Sequence, residues 1–174
     1  MISFRKALAL APLMIAGCVG KPVAPPPARP PVYRPAPPVP VAPPVADWES
    51  GVMSPGSWTY TKDARGGLAL FGVAGTDATL SIRCDVTTRR IYISRPGAMA
   101  ARMTLRATTG ARAYDAKPTA GAVPYVAAEL APTDPQLDAL AFSRGRFLVG
   151  LQGATDIVVP SWPEVARVIE DCRG

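Results

Sequence analysis

The 174-residue sequence contains no histidine, and this absence excludes several catalytic classes at once. Without histidine, neither a Ser-His-Asp nor a Cys-His nucleophile system can form, and the usual zinc ligand sets are incomplete. The sequence also lacks a glycine-rich phosphate loop. Its glycine pair, Gly66-Gly67, is interpreted as a turn. We therefore predict a protein that is not an enzyme and that holds no metal and no cofactor.

Acidic residues are missing from the first 46 positions, since all 13 aspartates and glutamates lie at position 47 or later. Five of the 19 lysines and arginines lie before position 46, which leaves 14 basic against 13 acidic residues in 46–174. A nearly neutral domain lacks the clustered cations that attract a phosphate backbone. Five of the six net positive charges therefore lie in the N-terminal region, and we expect no nucleic-acid partner.

The N-terminal apolar run, from Ala7 to Ile15, is short. At ~1.5 Å per residue it cannot cross a ~30 Å hydrocarbon core as a helix. With Arg5 and Lys6 before it, the run has the layout of an export signal. The next residues, Ile15-Ala16-Gly17-Cys18, resemble the lipobox of bacterial lipoproteins, whose cysteine carries a diacylglycerol. This resemblance predicts a signal peptide over residues 1–17 and lipidation of Cys18, and a cleaved signal peptide with a chance cysteine is the alternative.

Lipidation would make a membrane the first partner of this protein. Lipoproteins of this class carry at least two acyl chains, which is enough for a stable anchor. The residue after the cysteine is Val19, whereas aspartate there typically retains lipoproteins of Gram-negative bacteria at the inner membrane. We expect an outer-membrane anchor with the domain in the periplasm, and the inner membrane and the cell surface are alternatives.

Residues 18–45 contain a proline-rich segment, with 12 prolines among positions 22–44. Proline fixes φ and removes a backbone donor, so this segment favours polyproline II over helix or sheet. At ~3.1 Å per residue it would reach roughly 70 Å, far enough to hold a domain clear of the bilayer. We interpret it as a tether, and a docking motif that uses Tyr33 and Arg34 is the alternative.

Residues 46–174 have the pattern of a mainly-β domain. Apolar and polar residues alternate at 79–84, 90–94 and 102–107, which predicts strands there. β-Branched and aromatic residues predict a strand at 58–61, a short apolar run between glycines predicts one at 68–73, and a further strand is expected at 123–130. Residues 147–151 and 157–159 have the pattern of a hairpin. A short helix is expected near 134–142, capped by Asp134, and a C-terminal helix near 162–172. Ser161 and Glu164 have the spacing of a capping box for the second helix. The architecture predicted is an antiparallel β-sandwich or a small barrel.

The cysteine count leaves one pair once Cys18 is assigned to lipid. Cys84 and Cys172 each lie on the apolar face of a predicted element, and the compartment beyond the inner membrane is oxidising. We predict a Cys84–Cys172 disulfide that fixes the last helix to the sheet. Two buried free thiols are the alternative.

Two groups of arginines are candidates for anion binding. Arg144 and Arg146 flank a tight turn, where they would capture a carboxylate or phosphate, or else pair with acids of the terminal helix, which we favour. Arg83 and Arg106, with Arg102, project from the polar faces of predicted strands. They would form a basic stripe for cell-wall or lipid anions, although an ordinary solvated face is the default.

A carboxylate-dependent hydrolase would need two acids that converge in a cleft. Asp134 and Asp138 share a helix face, while Asp85 and Glu129 lie elsewhere. We interpret these acids as a helix cap and solvated surface residues.

The segment Leu80-Ser81-Ile82-Arg83-Cys84, followed by Arg90-Ile91-Tyr92-Ile93, resembles a pattern in periplasmic β-sandwich proteins. Examples are the TagO/VasI-like accessory proteins of type VI secretion and the invasion-associated locus B family. There a cysteine-bearing strand precedes a Tyr-Ile strand and a second cysteine lies near the C-terminus, the places that Cys84 and Cys172 occupy here. Segments 137–147 and 162–173 resemble uncharacterised lipoproteins of alphaproteobacteria. The resemblance implies a non-enzymatic envelope component and transfers no site residues.

Three functions fit these observations. The first is a membrane-anchored, non-catalytic binding or assembly module with an envelope protein or the cell wall as partner. The second is a carboxylate-dependent hydrolase of cell-wall polymer or glycan. The third is a purely structural envelope lipoprotein. We favour the first, because the sequence combines an anchor and a tether with a domain that lacks the usual catalytic residues.

Overall fold

The computed structural model of the protein describes residues 47–174. This part of the chain forms nine strands and two helices. The strands are β1 (Ser57–Asp63), β2 (Gly66–Gly72), β3 (Leu80–Asp85), β4 (Arg90–Pro96), β5 (Ala101–Ala107), β6 (Gly110–Pro118), β7 (Tyr125–Leu130), β8 (Arg146–Leu151) and β9 (Ile157–Pro160). The helices are α1 (Pro135–Ala141) and α2 (Pro163–Arg173).

All strands belong to one antiparallel sheet in the order β1-β2-β3-β4-β7-β6-β5-β8-β9. The sheet curls into a half-barrel, so the architecture is the open form of the small barrel that the sequence predicts. The curl brings the two ends of the sheet together. The Trp58 ring of β1 stacks on Phe147 of β8 with ring centroids 6.4 Å apart, and its Nε1 donates to the carbonyl of Pro160, 2.8 Å away.

The core fills the inside of this curl, because alternate residues of each strand face the same way. In β3, Leu80, Ile82 and Cys84 are buried while the residues between them are partly exposed, as the alternation predicts. Both helices pack against the same core. Helix α2 contributes Val165, Val168, Ile169 and Cys172, and α1 contributes Leu137 and Leu140.

The disulfide joins Cys84 of β3 to Cys172 of α2, with a Cα–Cα distance of 5.4 Å, which confirms the predicted pair. It closes a loop with a sequence separation of 88. For a loop of this length the chain-entropy model gives a stabilisation of about 4–5 kcal/mol, because the cross-link restricts the unfolded chain. The last helix is therefore held covalently against the sheet.

The helix starts differ from one another. Asp134 caps α1 as predicted, because its carboxylate accepts a 2.8 Å hydrogen bond from the main-chain N–H of Gln136. The capping box expected for α2 is wrong. The N-cap is Trp162, and the Ser161 hydroxyl instead lies 2.6 and 2.8 Å from the carbonyl oxygens of Leu140 and Ala141. Ser161 thus serves the C-terminal end of α1, whose carbonyls lack helical partners.

Strand β6 is the element that the sequence did not predict. Apart from Ala116, its residues are exposed or only partly buried, so no apolar alternation marks it. It is held by pairing with β5 along residues 101–107 and by a much shorter pairing with β7. Tertiary pairing, not its own sequence pattern, makes this segment a strand.

The residues that lead into the domain cover the free edge of β9. The Ser54 main-chain N–H donates to the carbonyl of Val158 at 2.8 Å, and the Val158 N–H donates to Ser54 Oγ at 3.1 Å. Trp48 packs on Leu148 and Val158, on the face of the sheet away from the main core. Strands β8 and β9 are consequently buried on both faces, and the unpaired edge of β9 is protected.

Candidate binding groove

A concavity of about 470 Å³ lies on the outer face of the sheet. It opens where β6 leaves β7, because these strands pair only through Ala116–Ala128, Lys117–Ala127 and Pro118–Val126. The side chains that matter for its chemistry are Tyr92, Asp115, Lys117, Thr119, Ala127 and Glu129. We call this surface the Ala127 groove.

The register of three strands sets the shape of the Ala127 groove. Tyr92 of β4 lies directly across from Glu129 of β7, and Lys117 of β6 lies across from Ala127. All four residues point to the outer face, since their strand neighbours Ile91, Ala116, Ala128 and Leu130 are buried. Ala127 is the smallest of them and forms a floor between taller side chains.

Two ion pairs border the groove. Arg90 Nε lies 2.9 Å from Glu129 Oε1, and Arg102 Nη1 lies 2.8 Å from Asp115 Oδ1. These four side chains are about half exposed or more, so each pair stabilises the fold by less than about 1 kcal/mol. Their main effect is to orient both carboxylates. Within residues 47–174, Lys117 forms no ion pair.

Tyr114 connects one end of the groove to α1. Its hydroxyl donates to Asp134 Oδ1 at 3.0 Å, and Asp134 is also the cap of α1. Burial and this hydrogen bond raise the pKa of Tyr114 to about 12, so the phenol stays neutral and remains a donor at physiological pH. This wall is therefore fixed to the packed part of the domain.

Asp115 and Glu129 line the same groove from neighbouring strands, just beyond the last β6–β7 pair. The sequence analysis placed Glu129 apart from Asp134 and Asp138, and it did not consider Asp115 because it did not predict β6. Asp134 is a cap and Asp138 is a surface residue that pairs with Arg173 at 2.8 Å, as expected. Asp85 is not a solvated acid, because its side chain is only 14% exposed and accepts from Arg65 and from the main-chain N–H groups of Thr87 and Thr88. Two acids that face one groove thus exist, although each is paired with an arginine.

The predicted basic stripe is wrong in its geometry. Arg83 lies on β3 and Arg106 on β5, and three strands separate them in the sheet. Arg83 Nη1 is 2.8 Å from both carboxylate oxygens of Asp63, so its charge is already compensated. Arg106 is exposed and forms no ion pair within the described part of the chain.

Arg144 and Arg146 do flank the turn before β8, but neither pairs with an acid of α2 among the described residues. Arg146 Nη1 donates to the carbonyl of Gly51 and so helps to hold the segment that covers β9. Asp171 of α2 instead pairs with Lys62 at 2.9 Å. Arg144 is exposed, and anion capture by it stays a prediction.

The tryptophans divide between the core and the surface. Trp48 and Trp58 are 6% and 5% exposed, so they are core residues rather than contact residues. Trp162, the N-cap of α2, is 44% exposed, and Phe142 at the end of α1 is 78% exposed. Ser161 joins these two helix ends, because its hydroxyl donates to carbonyl oxygens at the end of α1.

Cys18, the predicted signal peptide over residues 1–17 and the proline-rich segment lie outside the described residues. Within residues 47–174, no helix is long and apolar enough to cross a membrane. Comparisons with protein-family models, curated proteins and solved structures gave no match. The similarity to TagO/VasI-like and invasion-associated locus B proteins therefore stays a prediction.

Proposed function

We propose that the protein is a membrane-anchored envelope lipoprotein whose domain acts as a non-catalytic binding module. The observation that carries the binding role is the Ala127 groove, an open concavity with both donors and acceptors on a rigid sheet. The segment Ile15-Ala16-Gly17-Cys18 and the proline-rich residues after it support the anchor and the tether. The lipid attaches at Cys18, the outer membrane is the anchoring surface, and the domain lies in the periplasm.

Several features favour binding over chemistry. The groove is open, no histidine is available, and both groove carboxylates already accept from arginines. Asp115 and Glu129 are exposed, and each already pairs with an arginine.

The anchor is tested by metabolic labelling with a palmitate analogue, followed by separation of the two membranes. We expect label on the unsubstituted protein, no label on Cys18→Ser, and recovery in the outer-membrane fraction. Val19→Asp is the matched variant, since it leaves Cys18 intact and should move the labelled protein to the inner membrane. Equal labelling of the Cys18→Ser protein would contradict the anchor.

The binding role is tested with a photo-crosslinking amino acid at Lys117, which borders the groove, and at Thr61, which lies on the outer face of β1 far from it. We expect envelope components to crosslink at Lys117 and not at Thr61. Recovery of no adduct at Lys117 in living cells would count against a binding module.

A hydrolase is the second candidate, because Asp115 and Glu129 face one groove. Release of reducing ends from purified cell-wall glycan, abolished by Glu129→Gln, would establish it. We expect no release above a heat-treated control.

A further inference from the structure

We infer that the Ala127 groove binds a glycan strand: linked pyranose rings that are neutral or carry single carboxylates. This inference rests on the proposed function, because it names the ligand class of the same surface. It follows from the charge, the shape and the polar groups of the groove.

The charges point away from phosphate. Arg90 and Arg102 are each paired with a carboxylate of the groove, which leaves Lys117 as the cation without a described partner. In phosphate sites, several donors that are not already paired with a carboxylate point at one anion. A groove whose positive and negative charges nearly cancel suits a ligand rich in hydroxyls. The Lys117 ammonium group can donate to one isolated carboxylate of such a ligand.

The polar groups match vicinal hydroxyls. Glu129 and Asp115 each use one oxygen for an arginine, so further acceptor positions remain on both carboxylates. Hydroxyl groups donate to carboxylates strongly because such hydrogen bonds are charge-assisted. The arginines hold the carboxylates in place before a ligand arrives, which lowers the entropic cost of binding.

The shape suits a sugar ring. Tyr92 supplies a partly exposed aromatic ring beside the low floor at Ala127. An aromatic ring packs well against the C–H face of a pyranose, while the ring hydroxyls at its rim reach polar side chains. The concavity of about 470 Å³ is within the usual range for small-ligand sites and is open along the sheet, so a longer strand can continue beyond it.

The test measures binding by the full-length protein in detergent micelles. Chitotetraose is titrated calorimetrically, and co-sedimentation with purified peptidoglycan sacculi is measured in parallel. Ala127→Phe raises the floor and should weaken both by at least tenfold. Thr61→Phe adds the same ring on the outer face of β1 and should leave both unchanged.

A second series tests individual contacts without filling the groove. Tyr92→Ala should weaken binding about tenfold, whereas Tyr92→Phe keeps the ring and should retain it within threefold. Arg106→Ala, which removes an exposed cation outside the groove, should have no effect. Unfolding midpoints of all variants establish that each is folded.

The inference is overturned if the unsubstituted protein binds neither chitotetraose nor sacculi. It is also overturned if Ala127→Phe and Tyr92→Ala both leave binding unchanged, or if the protein binds only the isolated peptide stem of the wall. Lipopolysaccharide with and without its phosphates is a further arm. Binding that survives dephosphorylation supports a glycan from that source, and binding that needs the phosphates contradicts it. Lipid labelling at Cys18 is independent of all these results, so failure of the glycan inference leaves the anchor in place.

Discussion

Trp58 of the first strand donates a 2.8 Å hydrogen bond to the carbonyl of Pro160 in the last strand. The two residues are 102 positions apart and lie at opposite ends of the strand order. Because β1 and β9 do not pair along their backbones, this contact and the stacking of Trp58 on Phe147 join the two ends of the curled sheet.

Trp58→Phe should therefore destabilise the domain by about 2 kcal/mol, since it leaves the buried Pro160 carbonyl without its donor. Urea unfolding followed by circular dichroism measures this loss. Trp48→Phe is the matched control, because the Trp48 indole forms no hydrogen bond within residues 47–174 and only packing is lost there. Equal losses for the two variants would show that the hydrogen bond does not matter.

Removal of the disulfide by Cys84→Ala together with Cys172→Ala should lower the free energy of unfolding by about 3–5 kcal/mol, because the unfolded chain regains the entropy of the open loop. Thiol titration of the denatured protein provides an independent check. With Cys18 lipidated, we expect no reactive thiol without reductant and two with it. Reactive thiols before reduction would contradict the pair.

Asp171 should make stability depend on pH in the acid range. Burial opposes its ionisation, but hydrogen bonds from Tyr60 and Lys62 outweigh this effect and lower the pKa of the carboxyl. A carboxyl with a lower pKa in the folded state stabilises the fold above about pH 4, and this stabilisation is lost as the pH falls through the folded value.

Asp171→Asn should consequently be less stable at neutral pH and lose less stability than the unsubstituted protein between about pH 4 and pH 2. Urea midpoints at a series of pH values measure the difference. Asp77→Asn, an exposed loop residue, should leave the pH profile unchanged. Parallel profiles for Asp171→Asn and the unsubstituted protein would exclude the linkage.

Ser54→Ala should expose the edge of β9 locally. The substitution removes the acceptor of the Val158 N–H, which costs about 1 kcal/mol when the N–H stays buried. Hydrogen exchange at the Val158 amide should become faster. Ser57→Ala, on the exposed side of β1, should change neither the exchange rate nor stability.

Local patterns predicted much of this fold. Alternation, short apolar runs and β-branched or aromatic stretches together identified eight of the nine strands. The cysteine count, an oxidising compartment and the apolar faces of β3 and α2 led to the pairing of Cys84 with Cys172. Strand β6 was not predicted, because its residues are mostly exposed and do not alternate between apolar and polar. Ser161 had the right neighbours for a capping box, but tertiary packing gave its hydroxyl the carbonyls at the end of α1 instead.

The candidate groove could not be predicted from the sequence, because the sequence did not predict β6. Its walls come from β4, β6 and β7, and β4 and β6 are brought together only by the strand order. Without β6, Glu129 and Asp115 had no reason to share a surface. The floor at Ala127 carries no chemical signal, since an alanine in a strand usually indicates nothing.

The fastening of residues 47–54 to β9 has a mechanical consequence for a tethered protein. If the proline-rich segment is the tether proposed above, a pull through it would act first on Trp48, Arg146 and the two hydrogen bonds between Ser54 and Val158. In the sheet, β5 and β8 lie between β9 and the nearest groove strand, β6. Tension between the membrane and a bound wall polymer would thus load one edge of the domain, while the groove at the sheet's centre keeps its shape.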